Sequence, residues 1–339
     1  MKRKELTSSP KRKSIYFKDE GKGGTPHFFS TGCTVLDCVM GYGYPVGRIT
    51  NLVGDKSSGK TLLAIEAMAN FAAKFPNGKI WYMETEAAFD DSYAEGLGFP
   101  IKRVDRIDDK DTVEDLFEIL EGICKERIDQ EIKEPALFIV DSLDALSDRS
   151  EKDREIDKGT YGTKAKQMST IFRKLTKKLS QAEVSMIIVS QIRDNIGATF
   201  GRKTKRSGGR ALDFYASIVI YLAEIKKRKK TSKGVQRVIG IDVRAKCDKN
   251  KVSAPFRECD FPITFDYGME DEEACFEYLK SVKETEALKE LGLTASTTIA
   301  QLTKKVKTEH FFKEQLITTV KSTWRAVEDR FKPSRRKYQ

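Results

Sequence analysis

Residues 48–61 read RITNLVGDKSSGKT, and the helix-forming run LLAIEAM follows at 62–68. An apolar strand, a glycine-rich turn and an amphipathic helix in that order predict a phosphate loop. Gly54, Gly59, Lys60 and Thr61 match G-x-x-x-x-G-K-[ST] in full. The glycines let the backbone curl so that N–H groups at Asp55, Lys56, Ser57 and Ser58 face one centre. Leu62 continues the helix, whose N-terminus adds unpaired N–H groups and the positive end of its dipole. In this reading Lys60 neutralises the outer phosphates of a nucleoside triphosphate and the Thr61 hydroxyl ligates Mg²⁺. A plain Gly/Ser turn is the bland alternative, and the correct flanks argue against it.

Working outward, strand-length apolar runs alternate with helix-length amphipathic ones. KIWYMET (79–85), ALFIVDS (136–142) and SMIIVSQ (185–191) read as strands. Helices are expected over 59–75, 111–128 and about 164–180. The alternation predicts an α/β fold: a mostly parallel sheet covered by helices on both faces. ASIVIYLAEI (216–225) and VQRVIGIDVRAK (235–246) then predict an antiparallel hairpin with the loop KKRKKTSKG (226–234) at its tip. RECDFPITF (257–265) adds a further strand, and the chain ends in short helices. The predicted organisation is a flexible basic arm over 1–27, with a possible docking strand at Ser14–Phe17, a core over 28–280, and a small helical segment over 281–339.

A triphosphate site needs a second acid to hold the metal. Asp141 follows five apolar residues at a strand's C-terminal end, where open α/β sheets bind ligands. A strand-end aspartate that caps a helix is the alternative. No N-K-x-D guanine-reading signal stands at a suitable place, so ATP is favoured over GTP.

The 339 residues carry a net charge of +11. Residues 1–27 contribute +5, residues 281–339 contribute +6, and 28–280 are balanced. Basic ends on a neutral core suit a polyanion partner, most simply nucleic acid, and on charge alone suit a solubility tail equally well. Six scattered cysteines with no C-x-x-C pair, and two distant histidines, read as reduced thiols of a cytoplasmic protein rather than a zinc site. Neither a secretory signal nor a membrane-spanning run is expected.

Several blocks around the phosphate loop carry a more specific signal. FFSTGCTVLDCVMGYGYPVGRITNLVGDKSSGKT, ETEAAFDDSYAEGLGF, FIVDSLDAL, QIRDNIGATFG, GGRALDFYAS and KNKVSAPF occur in order between about Phe28 and Gly268. Together they resemble the RecA family of homologous-recombination ATPases, with ends more like a phage-encoded member. The resemblance implies a RecA-like core and assigns roles. Glu86 would activate the attacking water, with Glu84 as runner-up. Asp90 and Tyr93 would contact adenine, and Gln191 would sense the terminal phosphate. Lys249 and Lys251 would reach a neighbouring protomer's ATP. The resemblance places a DNA loop over 192–210, with Ile192, Arg193, Ile196, Gly197, Thr199, Phe200, Arg202, Lys203, Lys205, Arg206, Gly208, Gly209 and Arg210. That loop holds six basic residues, one acid and four glycines, a composition suited to phosphates and bases, although a solvated loop would share it. A first DNA loop is expected within 148–162, and Arg173 on the following helix would also meet DNA.

The implied function is ATP-dependent assembly on single-stranded DNA, admission of a homologous duplex, and strand exchange. Mediator and single-strand-binding proteins are implied as further partners. A hexameric helicase-type motor and an ATP-switched mediator are the rivals. Asp213 departs from the resemblance, since bacterial members carry a lysine there.

Overall fold

The computed structural model describes residues 27–86, 91–99, 101–149, 163–194, 204–206, 209–333 and 335. The expected arm, Asp90, most of the first DNA loop, and Ile196, Gly197, Thr199, Phe200, Arg202, Lys203 and Gly208 lie outside the described residues.

A two-stranded ribbon of β1 (Phe28–Phe29) and β2 (Tyr44–Pro45) brackets helix α1 (Thr34–Met40). Then come β3 (Ile49–Gly54), α2 (Lys60–Lys74), β4 (Lys79–Glu84), α3 (Asp91–Gly96), β5 (Val104–Ile107), α4 (Val113–Asp129) and β6 (Ala136–Asp141). Next are α5 (Thr163–Gln181), β7 (Val184–Asp194), β8 (Thr204–Arg206), α6 (Gly209–Tyr215), β9 (Ile218–Ser232), β10 (Val235–Asn250), β11 (Glu258–Thr264) and β12 (Gly268–Met269). Helices α7 (Asp271–Ser281), α8 (Thr285–Glu290), α9 (Ile299–Thr308) and α10 (Phe312–Arg330) close the described chain.

The main sheet has the order β12-β11-β10-β9-β3-β7-β6-β4-β5. Strands β9, β3, β7, β6, β4 and β5 run parallel, and β10 to β12 extend the sheet antiparallel. Period-2 alternation explains the uninterrupted apolar strands. On β6, Leu137 and Ile139 enter one core with α2, while Ala136, Phe138 and Val140 enter another with α4 and α5. Helix α4 buries Val113, Leu116, Leu120 and Cys124 at helical spacing, and Thr112 caps it by accepting the Asp115 N–H.

Three local expectations change. The lysine-rich stretch 226–232 is strand, and the turn is only Lys233–Gly234, with φ of 47° and 79°. Two successive positive φ values are what a tight hairpin needs. Polarity misled the loop assignment, because a solvated ribbon needs no alternation. The loop expected at 192–210 is partly ribbon, as Ile192–Asp194 pairs antiparallel with Thr204–Arg206. Strand β10 ends at Asn250, so Lys251 lies just beyond it.

Helices α8 to α10 bury Leu288, Leu302, Leu316, Val320 and Trp324 in the same cluster as Val35, Leu36 and Phe276. A two-pronged ion pair from Arg257 to Glu328, both contacts at 2.7 Å, ties α10 to the sheet extension. Among the described residues no helix is long and apolar enough to cross a membrane.

Candidate active site and nucleic-acid interface

The phosphate loop lies between the end of β3 and the start of α2. Ser57 and Gly59 adopt positive φ, 60° and 86°. A Cβ on Gly54 would stand 2.6 Å from the Leu222 carbonyl oxygen and 2.5 Å from Ser58 Oγ, so only glycine fits there. Ser58 Oγ donates to the Asp55 carbonyl at 2.8 Å, and Lys60 Nζ donates to the same oxygen at 2.6 Å. No side chain caps α2, so its first N–H groups remain available to a ligand. Asp55, Lys56 and Ser57 are exposed around the rim, while Ser58, Lys60 and Leu62 are buried.

The Thr61 hydroxyl is hydrogen-bonded to Asp141, and Tyr82 OH donates to Asp141 Oδ2 at 3.0 Å. Burial raises the Asp141 carboxyl above its ordinary value, opposed by those two hydrogen bonds and by Lys60. Burial likewise lowers Lys60, with Asp141 and Glu86 opposing. Mg²⁺ is a hard cation that takes one or two protein oxygens and completes its shell with water and phosphate. Thr61 and Asp141 fit that role. Among the described residues no group of three or more His, Cys, Asp or Glu forms a metal cage.

Glu86 and Glu84 differ sharply. Glu84 is buried and paired with Arg106 at 2.7 Å. Glu86 Oε1 accepts from Gln191 Nε2 at 2.7 Å and from the Ser142 hydroxyl. Residues far apart in the chain are thereby brought beside the phosphate loop. Sequence reasoning missed Ser142, and also Asp144, whose Oδ2 accepts the Gln191 main-chain N–H at 2.6 Å. The only trace of either was a polar residue inside FIVDSLDAL.

A cavity of about 610 Å³ opens from the phosphate loop. Gly59, Thr61 and Ile65 line it together with Ile241 and Ile263 of the sheet extension and Phe265 just after β11. Tyr93 stands in its wall, with its hydroxyl pKa raised by burial. Phe265 is a second aromatic lining the same cavity, and nothing in its local pattern sets it apart.

Lys249 Nζ donates to the Phe214 carbonyl at 2.8 Å and also to that of Asp213. Lys251 Nζ donates to the Phe214 carbonyl at 3.1 Å. Both ammonium groups thus gather at the C-terminal end of α6, where cations are favoured. Phe214 itself is 69% exposed. Of the residues that the resemblance assigns to DNA, Arg173 is exposed on α5 and Ile192 is half-buried. Arg193, Lys205 and Arg206 lie on the β7–β8 ribbon, and Gly209 and Arg210 start α6. Of the first DNA loop, Arg149 is described and forms ion pairs with Asp115 and Glu118 of α4, at 2.8 Å and 2.7 Å.

A model of the RecA N-terminal domain family matches residues 14–270. The chain belongs to the RecA family. The family match ends one residue before α7 begins, and it contains the phosphate loop, Glu86, Asp141, Gln191, Lys249 and Lys251. Among similar proteins, Protein RecA of Streptomyces venezuelae is 35% identical over 245 residues, covering 72% of this chain and 61% of that one. Protein RecA of Prochlorococcus marinus is 36% identical over 242 residues, covering 71% and 60%. Protein RecA of Clostridium acetobutylicum is 35% identical over 245 residues, covering 72% and 66%. The chain therefore spans about three fifths of the length of the first two RecA relatives.

Proposed function

We propose that this chain is a DNA-dependent ATPase that assembles as a helical filament on single-stranded DNA, pairs it with a homologous duplex and exchanges strands. One observation carries the reading. Gln191 touches Glu86 beside the phosphate loop, and the same strand runs on without a break into the β7–β8 ribbon that bears the basic loop. A displacement of the ribbon by DNA would be felt at Glu86 through a single residue.

In this reading the loop N–H groups and Lys60 bind the β and γ phosphates, and Thr61 and Asp141 would hold Mg²⁺, which would supply further positive charge there. Glu86 orients water and takes its proton. Tyr93, with Asp90, holds the adenine. Arg173 and the basic and apolar residues of 192–210 bind the strand, cations on phosphates and Ile196 and Phe200 against bases. Lys249 and Lys251 reach a neighbouring protomer's nucleotide. An exposed Phe214 beside the two lysines supports a seam between protomers there. A heterologous seam that does not close gives a filament. The basic ends 1–27 and 281–339 attract duplex. Mediator and single-strand-binding proteins are proposed partners, and the cytoplasm of a bacterial or phage-infected cell the proposed location.

The test is ATP turnover with and without single-stranded DNA, joined to electron microscopy with a slowly hydrolysed ATP analogue. Stimulation by DNA of about tenfold or more and an open helix are expected. Turnover indifferent to DNA, or closed rings, would sink the proposal.

A further inference from the structure

Gln191 is the last residue of β7 paired with β3, opposite Gly54, and its neighbour Ile192 already pairs with Arg206 of the ribbon. It therefore stands at the joint between the nucleotide sheet and the DNA ribbon. Its other flank has a problem of accounting. Strand β6 pairs with β7 only as far as Val140 opposite Ile188. Beyond that point the β6 chain turns away, and the β7 groups facing it lose their strand partner. Buried backbone groups must be satisfied somehow. The Leu143 N–H covers the Val189 carbonyl at 3.0 Å. Two residues on, the Gln191 N–H meets a side chain instead, Asp144 Oδ2 at 2.6 Å. Asp144 is 8% exposed, and a buried carboxylate accepting an N–H makes a strong, charge-assisted hydrogen bond.

The turn after β6 thus touches both members of the proposed catalytic couple. Ser142 donates to Glu86, and Asp144 accepts from the Gln191 main chain, while the Gln191 amide donates to Glu86 at 2.7 Å. Gln191 is held at two points, by its backbone and by its side chain. The side-chain contact is the one a terminal phosphate could replace. The backbone contact decides whether the joint bends at Gln191 or slips past it.

We infer that Asp144 is a positioning residue: it clamps the Gln191 main chain so that movement of the DNA ribbon is delivered to the Gln191 amide, and so to Glu86. The inference rests on the ATPase reading above. Asp144 does not touch the reacting atoms. Without it, the ribbon can shift while the Gln191 side chain stays where it was, and DNA occupancy no longer reaches the nucleotide.

The experiment uses the full chain with Asp144→Ala and Asp144→Asn. Asparagine keeps an acceptor oxygen for the N–H and removes the charge. The expected result for Asp144→Ala is a KM for ATP within about twofold of the parent protein and a ratio of DNA-stimulated to basal turnover reduced about fivefold or more. Asp144→Asn should keep most of that ratio. Hydrogen exchange without DNA gives a second reading, independent of turnover. In Asp144→Ala the Gln191 amide should exchange at least about tenfold faster, with Val189 and Ile188 unchanged. A merely structural role would loosen the whole strand. An unchanged stimulation ratio in Asp144→Ala, an Asp144→Asn protein as defective as the alanine variant, or uniform loosening of β7 each overturns the inference. A parent protein whose turnover ignores DNA counts against the recombinase reading. The Gln191 exchange rate then decides the clamp by itself.

Discussion

At Glu86 one carboxylate oxygen takes hydrogen bonds from two donors, the Gln191 amide and the Ser142 hydroxyl. Those two bonds aim its carboxylate beside the phosphate loop, where a base for the attacking water is needed. Glu86→Gln should therefore retain ATP binding and lose about 100-fold or more in turnover, as a coupled phosphate-release assay will measure. Glu84→Gln should stay within about threefold of the parent turnover, because Glu84 is committed to Arg106; a loss as large as that of Glu86→Gln would reverse the two roles. Asp37 offers a separate test. Burial pushes its carboxyl up to about 6, against hydrogen bonds from Ser30 and Thr31. Between its ordinary value of 3.8 and about 6, the folded state binds more proton than the unfolded one, so this group adds stability as pH falls through that window. A carboxyl-carbon titration of Asp37 should show a midpoint near 6, and Asp37→Asn should remove that portion of the pH dependence of denaturant unfolding. Residue identity was legible wherever a motif was contiguous. Ser142 and Asp144 were not legible, because their importance depends on partners 56 and 47 residues away.

The strand, loop and helix around Gly54–Thr61 were readable because each constraint is local: glycine conformations, an apolar strand, a helix-forming run. Gly54→Ala would drive a Cβ against the Leu222 carbonyl of β9. It should cost about 1–3 kcal/mol in denaturant unfolding and weaken ATP binding with it. The β9–β10 hairpin was readable in existence and not in extent, since its outer half has no buried face to impose a period. On one continuous strand, K-x-K spacing would point Lys249 and Lys251 the same way. They do converge, although a register shift between Cys247 and Lys249 and the end of β10 intervene, and α6 supplies the carbonyls on which they meet. Replacing both with alanine should cost about 0.3–1 kcal/mol for each cation lost from that helix end. It should also abolish filaments on single-stranded DNA. Electron microscopy showing normal filaments for the double variant would remove these lysines from the seam.

Across the whole molecule, the sheet order brings β3, β7, β6 and β4 side by side, so that the phosphate loop, Gln191, Asp141 and Glu86 emerge at one edge. Helices α8 to α10 complete one of the two cores, with Leu316 and Val320 fully buried against the α1 and α7 side. A chain ended after residue 284 would expose that apolar surface to water. It should be recovered largely as aggregate, or unfold at a markedly lower temperature than the full chain; a soluble, equally stable core would mean that the C-terminal helices fold as a separate unit. By itself the sequence determined the α/β class, the phosphate loop, the buried central strands and the basic ends, because side-chain period, glycine freedom and charge act between near neighbours. Only the tertiary structure decided which glutamate is engaged by Gln191, which acid holds the main chain of Gln191, and which second aromatic shares the cavity with Tyr93. The Gln191–Glu86 contact alone joins residues 105 positions apart, and such juxtapositions follow from the order of strands in the sheet, which no short stretch of chain encodes.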